Sequence, residues 1–255
     1  MNSDHQQARQ YYDDVADEYD TGFRRQGDLI DRREREILQQ RLGDLSGKRV
    51  FDFGCGTGRI SQYHRERGAE HVLGVDISPQ MVKLAEQKVD DPAIEFRVFD
   101  PEQADRGIDS HEAFDVATSL EVLEYFSDPG DLLGTLTDRV AEGGEVVFDF
   151  INRQNLSAYL KSRLSKDWRA NGLQLYSLGQ VKRLCAQHNL EFVSSDGVYM
   201  SLLPISIHSR IPVIGTRWPT LERVMNRSRL LRRFLSYRVL VTAKKKKQPG
   251  SAGAA

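Results

Sequence analysis

Up to about residue 45 the apolar positions recur at helical spacing. Tyr12, Val15, Ala16 and Tyr19 share one side of a stretch from Ala8 to Phe23. Ile30, Ile37, Leu38 and Leu42 share one side of Asp28 to Leu42, whose charged face is expected in solvent. From Arg49 onward short apolar runs take over. They fall at Arg49–Phe53, His71–Val75, Ile94–Phe99, Phe114–Ser119, Val146–Ile151, Leu190–Val193 with a continuation towards Tyr199, and Tyr237–Ala243. Helical patterns lie between them: Gly58 to Arg67, closed by Gly68; the stretch after Ser78-Pro79, with Ser78 as N-cap and Pro79 at the first helical position; Gly130 to Arg139; Leu156 to Leu164; and the stretch after Ser177. Glu142-Gly143-Gly144-Glu145 reads as a turn. Strands and helices in alternation predict an α/β doubly wound sheet.

The chain is organised around Val50-Phe51-Asp52-Phe53-Gly54-Cys55-Gly56-Thr57-Gly58, a strand that runs into a glycine-rich turn and then a helix. Glycines there admit positive φ and let a ligand touch the main chain, and the helix start offers unpaired N–H groups. The pattern is Asp-x-Gly-x-Gly-x-Gly. A dinucleotide fingerprint would need glycine where Arg59 stands, and a phosphate loop would need a Gly-Lys-Ser/Thr ending, which is missing. Asp76 closes the second strand 22 residues after Gly54, the place for an acid that accepts from ribose hydroxyls.

These motifs, with Asp100 after the third strand and Leu120-Glu121-Val122-Leu123-Glu124-Tyr125 after the fourth, resemble class I S-adenosylmethionine (AdoMet) dependent methyltransferases, including the ubiquinone-biosynthesis O-methyltransferases. The resemblance covers roughly residues 8–200. It implies a Rossmann-like seven-stranded sheet with an antiparallel last strand, and N-terminal lid helices. It implies AdoMet as cofactor and S-adenosylhomocysteine as product. Tyr11 and Tyr19 are then the lid aromatics over the cofactor, Gly54 and Gly56 approach its methionine portion with Cys55 and Gly58 in the same loop, and Asp52 braces the loop. Asp76 takes the ribose, Ile77, Asp100 and Pro101 the adenine, and Ser119 and Leu120 line the methyl channel. His208, Glu121, Glu124 and Tyr125 are the candidates for proton removal from an acceptor. Where the family carries a histidine this chain has Tyr125, so no metal is expected.

Composition narrows the setting. No run of about 18 apolar residues is present, so no transmembrane helix is expected. The N-terminus lacks a signal-peptide pattern, which implies a cytoplasmic protein. Cys55 and Cys185 read as buried reduced thiols. Residues 1–243 read as one domain, with lid helices over 1–45, an insertion over 200–236 and a disordered tail over 244–255. The net charge of −1 hides an asymmetry: residues 200–247 hold 12 basic residues against the single acid Glu222. A stripe of Leu221, Val224, Met225, Leu231 and Leu235 among arginines, over a helix from Thr220 to Phe234, reads as an element for an anionic membrane face or substrate. The expected partner is thus a small-molecule or lipid-linked acceptor, with peripheral attachment to the inner membrane. Nucleic acid is the alternative partner, and a basic track without interleaved aromatics argues against it. A cofactor-binding scaffold without turnover is the non-enzyme alternative.

Overall fold

A computed structural model describes residues 3–26, 28–101, 112–166, 168, 172–200 and 220–247. Two helices, α1 (Ser3–Gln26) and α2 (Asp28–Leu42), precede the sheet. Then come β1 (Arg49–Phe53), α3 (Arg59–Glu66), β2 (His71–Asp76), α4 (Pro79–Lys88), β3 (Ile94–Val98), β4 (Phe114–Ser119) and a 3₁₀ turn at Leu123–Tyr125. They are followed by α5 (Pro129–Arg139), β5 (Val140–Ile151), α6 (Leu156–Leu164), α7 (Leu178–Gln187) and β6 (Leu190–Met200). A helical stretch at 220–226, α8 (Arg229–Leu235) and β7 (Ser236–Lys245) complete the described chain.

The seven strands lie in the order β3-β2-β1-β4-β5-β7-β6. The first five are parallel, and β7 runs antiparallel to both β5 and β6. Both faces of the inner strands are buried, which is why the strands are apolar in sequence without alternation. On one face Phe51, Leu73, Phe114, Phe148 and Phe150 pack with Leu132 and Leu136 of α5 and with Val181 and Cys185 of α7. On the other, Val50, Val72, Val116, Val147 and Leu240 pack with Ile37, Leu38 and Leu42 of α2 and with Ile60, Val82 and Ala85 of α3 and α4. Chain order reverses direction across the sheet between β1 and β4, so a crevice opens beyond the carboxyl ends of these strands.

The structure corrects several expectations. Glu142–Glu145 is not a separate turn but part of β5; Gly143 takes φ 78° and the β4–β5 register shifts between Phe114 and Val116, so the glycine pair makes an irregularity that the strand passes through. β7 extends beyond Ala243: Lys245 Nζ donates to the carbonyls of Thr137 and Val140, which draws the start of the expected tail into the sheet. The charged face of α2 is not all in solvent, because Arg33 and Glu34 are buried.

The expected helix from Thr220 to Phe234 is broken at Arg227, and Ser228 caps a new helix by accepting from the Leu231 N–H. Its apolar stripe does not face the core. The inward residues are Glu222 and Asn226, which are buried. Asn226 exchanges two hydrogen bonds with the backbone of Gly197 in β6, at 2.6 and 3.0 Å, and Glu222 accepts from the Met200 N–H at 3.1 Å. Side-chain amide and carboxylate here satisfy the edge strand as a further strand would, and that requirement outweighs apolar burial. Residues 201–219 of the expected insertion, including His208, and the tail after Lys247 lie outside the described residues.

Candidate active site

The crevice is walled by α1, the glycine turn, the end of β2 and the segment after β4. Gly54, Gly56 and Gly58 all have positive φ, at 77°, 53° and 83°. They are not equivalent. A Cβ on Gly54 would stand 2.2 Å from Val122 Cγ2 and one on Gly58 would stand 2.8 Å from Phe96 Cζ, so these two let neighbouring elements close up. A Cβ on Gly56 would meet nothing within 4 Å. That open side of the main chain faces the cavity, where a ligand can lie against it.

Asp76 fixes this turn. Its two carboxylate oxygens accept from the N–H groups of Gly56 and Ser78, each at 2.9 Å. Burial pushes its carboxyl up to about 6, against the pull of those two amides. Each oxygen keeps a lone pair for a ribose hydroxyl. Asp52 lies below, accepting from the hydroxyls of Ser61 at 2.6 Å and Thr118 at 2.9 Å, and so ties α3 and β4 to β1. Gly54 and Cys55 both donate to the Val75 carbonyl, which holds the turn against β2.

The cavity in this crevice is lined by Tyr12, Tyr19, Gly54, Gly56, Asp76, Ile77, Leu120, Glu121 and Tyr125, among others. A second chamber continues past Gly56 to Asp52, Cys55, Arg59 and Glu121. Tyr19, Gly54, Gly56, Leu120 and Glu121 face both. The lid closes through Tyr12, whose hydroxyl donates to that of Tyr125 at 2.9 Å, and through Asp13, which accepts from the Ser78 hydroxyl at 2.5 Å. Tyr11 packs edge-on against Tyr12, is 40% exposed as a residue, and is not among the residues lining the cavity. Asp100 and Pro101 are half-buried beyond Phe99, which is the lining residue of that segment. Ser119 is buried at the end of β4, and its hydroxyl has no hydrogen-bond partner among the described residues.

The acids after β4 divide. Glu121 takes φ 63°, held there by its N–H donating to Asp149 at 2.7 Å, and lines both chambers. Glu124 turns away. Arg238 grips it with two bonds at 2.8 and 3.1 Å and also bonds both oxygens of Asp149, making a buried three-member ion cluster. Tyr125 faces the cavity, with burial raising its hydroxyl well above the ordinary tyrosine range. A second ion cluster closes the far chamber, where Arg59 pairs with Glu34 at 2.8 Å and with Asp31. Burial pushes Glu34 up to about 8, with Arg59 opposing.

Sequence reading missed Tyr12, Phe99 and Val122 as lining residues and both ion clusters. A signal existed for one of them. Asp149 and Arg238 are single charges inside apolar strand runs, and such charges in neighbouring buried strands call for each other. For the lid, helical spacing placed Tyr12 and Tyr19 together on one side, while Tyr11 lies off it.

A nucleoside fits this arrangement: an open glycine main chain, an acid closing the next strand and an aromatic lid at the switch point define a nucleoside-binding α/β domain. Residues 23–195 match the model of a methyltransferase domain, and the chain belongs to that family. It is 32% identical over 123 residues to the ubiquinone biosynthesis O-methyltransferase of Aeromonas salmonicida, covering 48% of this chain and 51% of that protein. With the enzyme of the same name from Aromatoleum aromaticum it shares 35% over 166 residues, 59% of this chain and 67% of the other. The chain thus spans about half to two thirds of these relatives. Among solved structures, an S-adenosylmethionine dependent methyltransferase from Mesorhizobium loti superposes with a TM-score of 0.58 at 22% identity, over 82% of this chain and 96% of its own. Magnesium protoporphyrin IX methyltransferase from Synechocystis with bound S-adenosylhomocysteine superposes with a TM-score of 0.64 at 16% identity, over 96% of this chain and 100% of its own. At these identities the two structures show the shared fold.

Proposed function

We propose that residues 1–243 form one AdoMet-dependent methyltransferase domain that methylates a hydroxyl of a small-molecule or lipid-linked acceptor. The observation that carries this reading is the continuous cavity from the Tyr12–Tyr125 lid, past Gly56 and Asp76, to Glu121. AdoMet, when bound, supplies a methyl group on a sulfonium that needs no further activation. The chain's own part is binding, alignment and exclusion of water. Gly54 and Gly56 offer main chain, Asp76 accepts from the ribose, and Ile77 and Phe99 flank the base. Leu120 presents backbone at the methyl, and Tyr12, Tyr19 and Phe126 cover the site.

The acceptor class follows the name of the curated relatives. A hydroxyl acceptor gives up a proton as it takes the methyl. Glu121 is the carboxylate we assign to receive it, because Glu124 is engaged by Arg238 and the raised hydroxyl of Tyr125 suits a donor. No described helix is long and apolar enough to cross a membrane. The enzyme is read as cytoplasmic, with its basic C-terminal segment on the anionic inner face of the membrane.

The test is titration calorimetry with AdoMet and S-adenosylhomocysteine on the wild type and Asp76→Ala, followed by transfer of labelled methyl to phenolic and lipid-linked hydroxyl acceptors. Micromolar binding lost in the variant supports the reading. Absence of binding by folded wild type overturns it, and tight binding with no transfer to any acceptor favours a non-catalytic cofactor-binding protein.

A further inference from the structure

A second site lies away from the cofactor cavity. A groove of about 700 Å³ runs along the edge strand β6. Five cations line it: Arg41 from the last turn of α2, Lys182 from α7, and Arg229, Arg232 and Arg233 from α8. No carboxylate is among its described lining residues. Arg41 is paired, through two bonds of 2.8 and 2.9 Å to Asp196. Three of the other cations are positioned by neutral groups. Arg232 donates to the Ser195 carbonyl, Arg233 donates to Gln154 Oε1 at 3.1 Å, and Lys182 Nζ stands 4.2 Å over the Phe192 ring.

Like charges at contact distance repel by about 1 kcal/mol per pair even in water. Here the protein gathers them and orients them while supplying little counter-charge. Oriented guanidinium groups match phosphate oxygens, and the capped start of α7, with Ser177, Leu178 and Gly179 in the lining, adds a positive helix end.

The rim of the groove decides what carries the phosphate. α8 exposes Leu230, Leu231 and Phe234, and the preceding helical stretch exposes Leu221 and Val224. α6 exposes Leu156, Leu160 and Leu164 at four-residue spacing, the last 75% accessible. The Asn155 side chain, which caps α6, donates to the carbonyls of Phe234 and Leu235, so α6 starts where α8 ends. α8 in turn enters β7 beside the end of β5, where Ile151 pairs with Arg238, on the edge of the sheet where the cofactor cavity opens. A dissolved polyanion makes no use of exposed leucines. Single-stranded nucleic acid would need a row of free aromatic faces; among the described residues the aromatic lining the groove is Phe192, covered by Lys182, and Phe234 on the rim lies under Arg233. Cations among exposed leucines fit the boundary of an anionic bilayer.

We propose that this groove binds the phosphate headgroups of an anionic lipid bilayer, with the leucines of α6 and α8 entering the headgroup boundary. The inference rests on reading the C-terminal segment as membrane-facing and is independent of the acceptor.

The test is sedimentation of the full chain with phosphatidylcholine vesicles, with and without phosphatidylglycerol. Binding is expected only to the anionic vesicles. The double substitution Arg229→Gln and Arg233→Gln should lower partitioning about thirtyfold, from two contacts worth about 1 kcal/mol each. Leu230→Ser with Phe234→Ser should weaken it about tenfold or more. Calorimetric AdoMet binding should be the same in all variants, which shows that they fold. Equal binding to neutral vesicles, no binding, or no effect of the arginine substitutions overturns the proposal. So does calorimetric binding of inorganic pyrophosphate, or retention of RNA, without vesicle binding. Vesicle binding lost with AdoMet binding intact leaves the methyltransferase reading standing, and the opposite result removes that reading alone.

Discussion

Replacing Arg238 by methionine tests whether the frame behind Glu121 is electrostatic. The side chain is 6% exposed, and Glu124 and Asp149 are 4% and 1% exposed, so one buried cation holds two buried carboxylates. Methionine keeps much of the volume and removes the charge. Burial already raises Glu124, and Arg238 is the main group lowering it. Without the guanidinium both acids lose their partner, and buried Glu124 takes up a proton. Holding a proton at pH 7 on a carboxyl with an ordinary value near 4 costs about 4 kcal/mol, which bounds the loss per acid. Freedom from burying the guanidinium offsets part of this, so the expected net destabilisation at pH 7 is about 3–5 kcal/mol. The sign with pH is decisive. In the variant Glu124, raised by burial and no longer opposed by Arg238, holds its proton in the folded state and titrates near pH 4 when unfolded, so stability lost at pH 7 returns as pH falls towards 5. Urea unfolding of both proteins at pH 7 and pH 5 measures it. A loss under about 1 kcal/mol at pH 7, or one equal at the two pH values, would refute the reasoning. Because Asp149 also holds the Glu121 N–H, cofactor affinity at pH 7 should fall with stability.

Three further outcomes are expected. Gly56→Ala should leave stability within about 1–2 kcal/mol, the strain of a left-handed non-glycine residue, while weakening AdoMet binding at least tenfold; Gly54→Ala should lower stability further because its Cβ meets Val122. Thermal unfolding and calorimetry on the pair check this, and equal effects would contradict it. Tyr12→Phe removes only the hydroxyl pair with Tyr125, so the cofactor dissociation constant should rise about fivefold, with a small change in melting temperature. Asp76, raised to about 6 in the folded protein against about 4 when unfolded, favours the folded state while protonated. Its contribution of about 3 kcal/mol to the unliganded protein is present below pH 4 and lost as pH rises through 6, whereas AdoMet affinity should rise over the same interval as the carboxylate becomes the better acceptor. Calorimetry and unfolding from pH 5 to pH 8 separate the two slopes.

What was legible in the sequence was what depends on local rules. The inner parallel strands could be read because they are buried on both faces, and Asp76 because its distance from Gly54 is set by one strand-helix-strand unit. The antiparallel β7 and the lid helices came from family resemblance, since no local pattern states which strands pair. What could not be read depends on partners distant in sequence. Arg238 and Glu124 are 114 residues apart, and nothing near either names the other. The docking of the C-terminal helices was hidden for a related reason. Apolar spacing marked Leu221, Val224 and Leu231 as a stripe for an anionic membrane face or substrate, but it gave one unbroken helix and no sign of the face by which that helix docks. Here the surface to be covered was the unpaired backbone of β6 at Gly197 and Met200, and Asn226 and Glu222 answer its hydrogen bonds where leucines cannot. A helix that docks by its polar residues must present its apolar ones elsewhere, so the exposed leucines and oriented arginines of this segment are two results of one packing choice, and the vesicle experiment proposed above tests both at once.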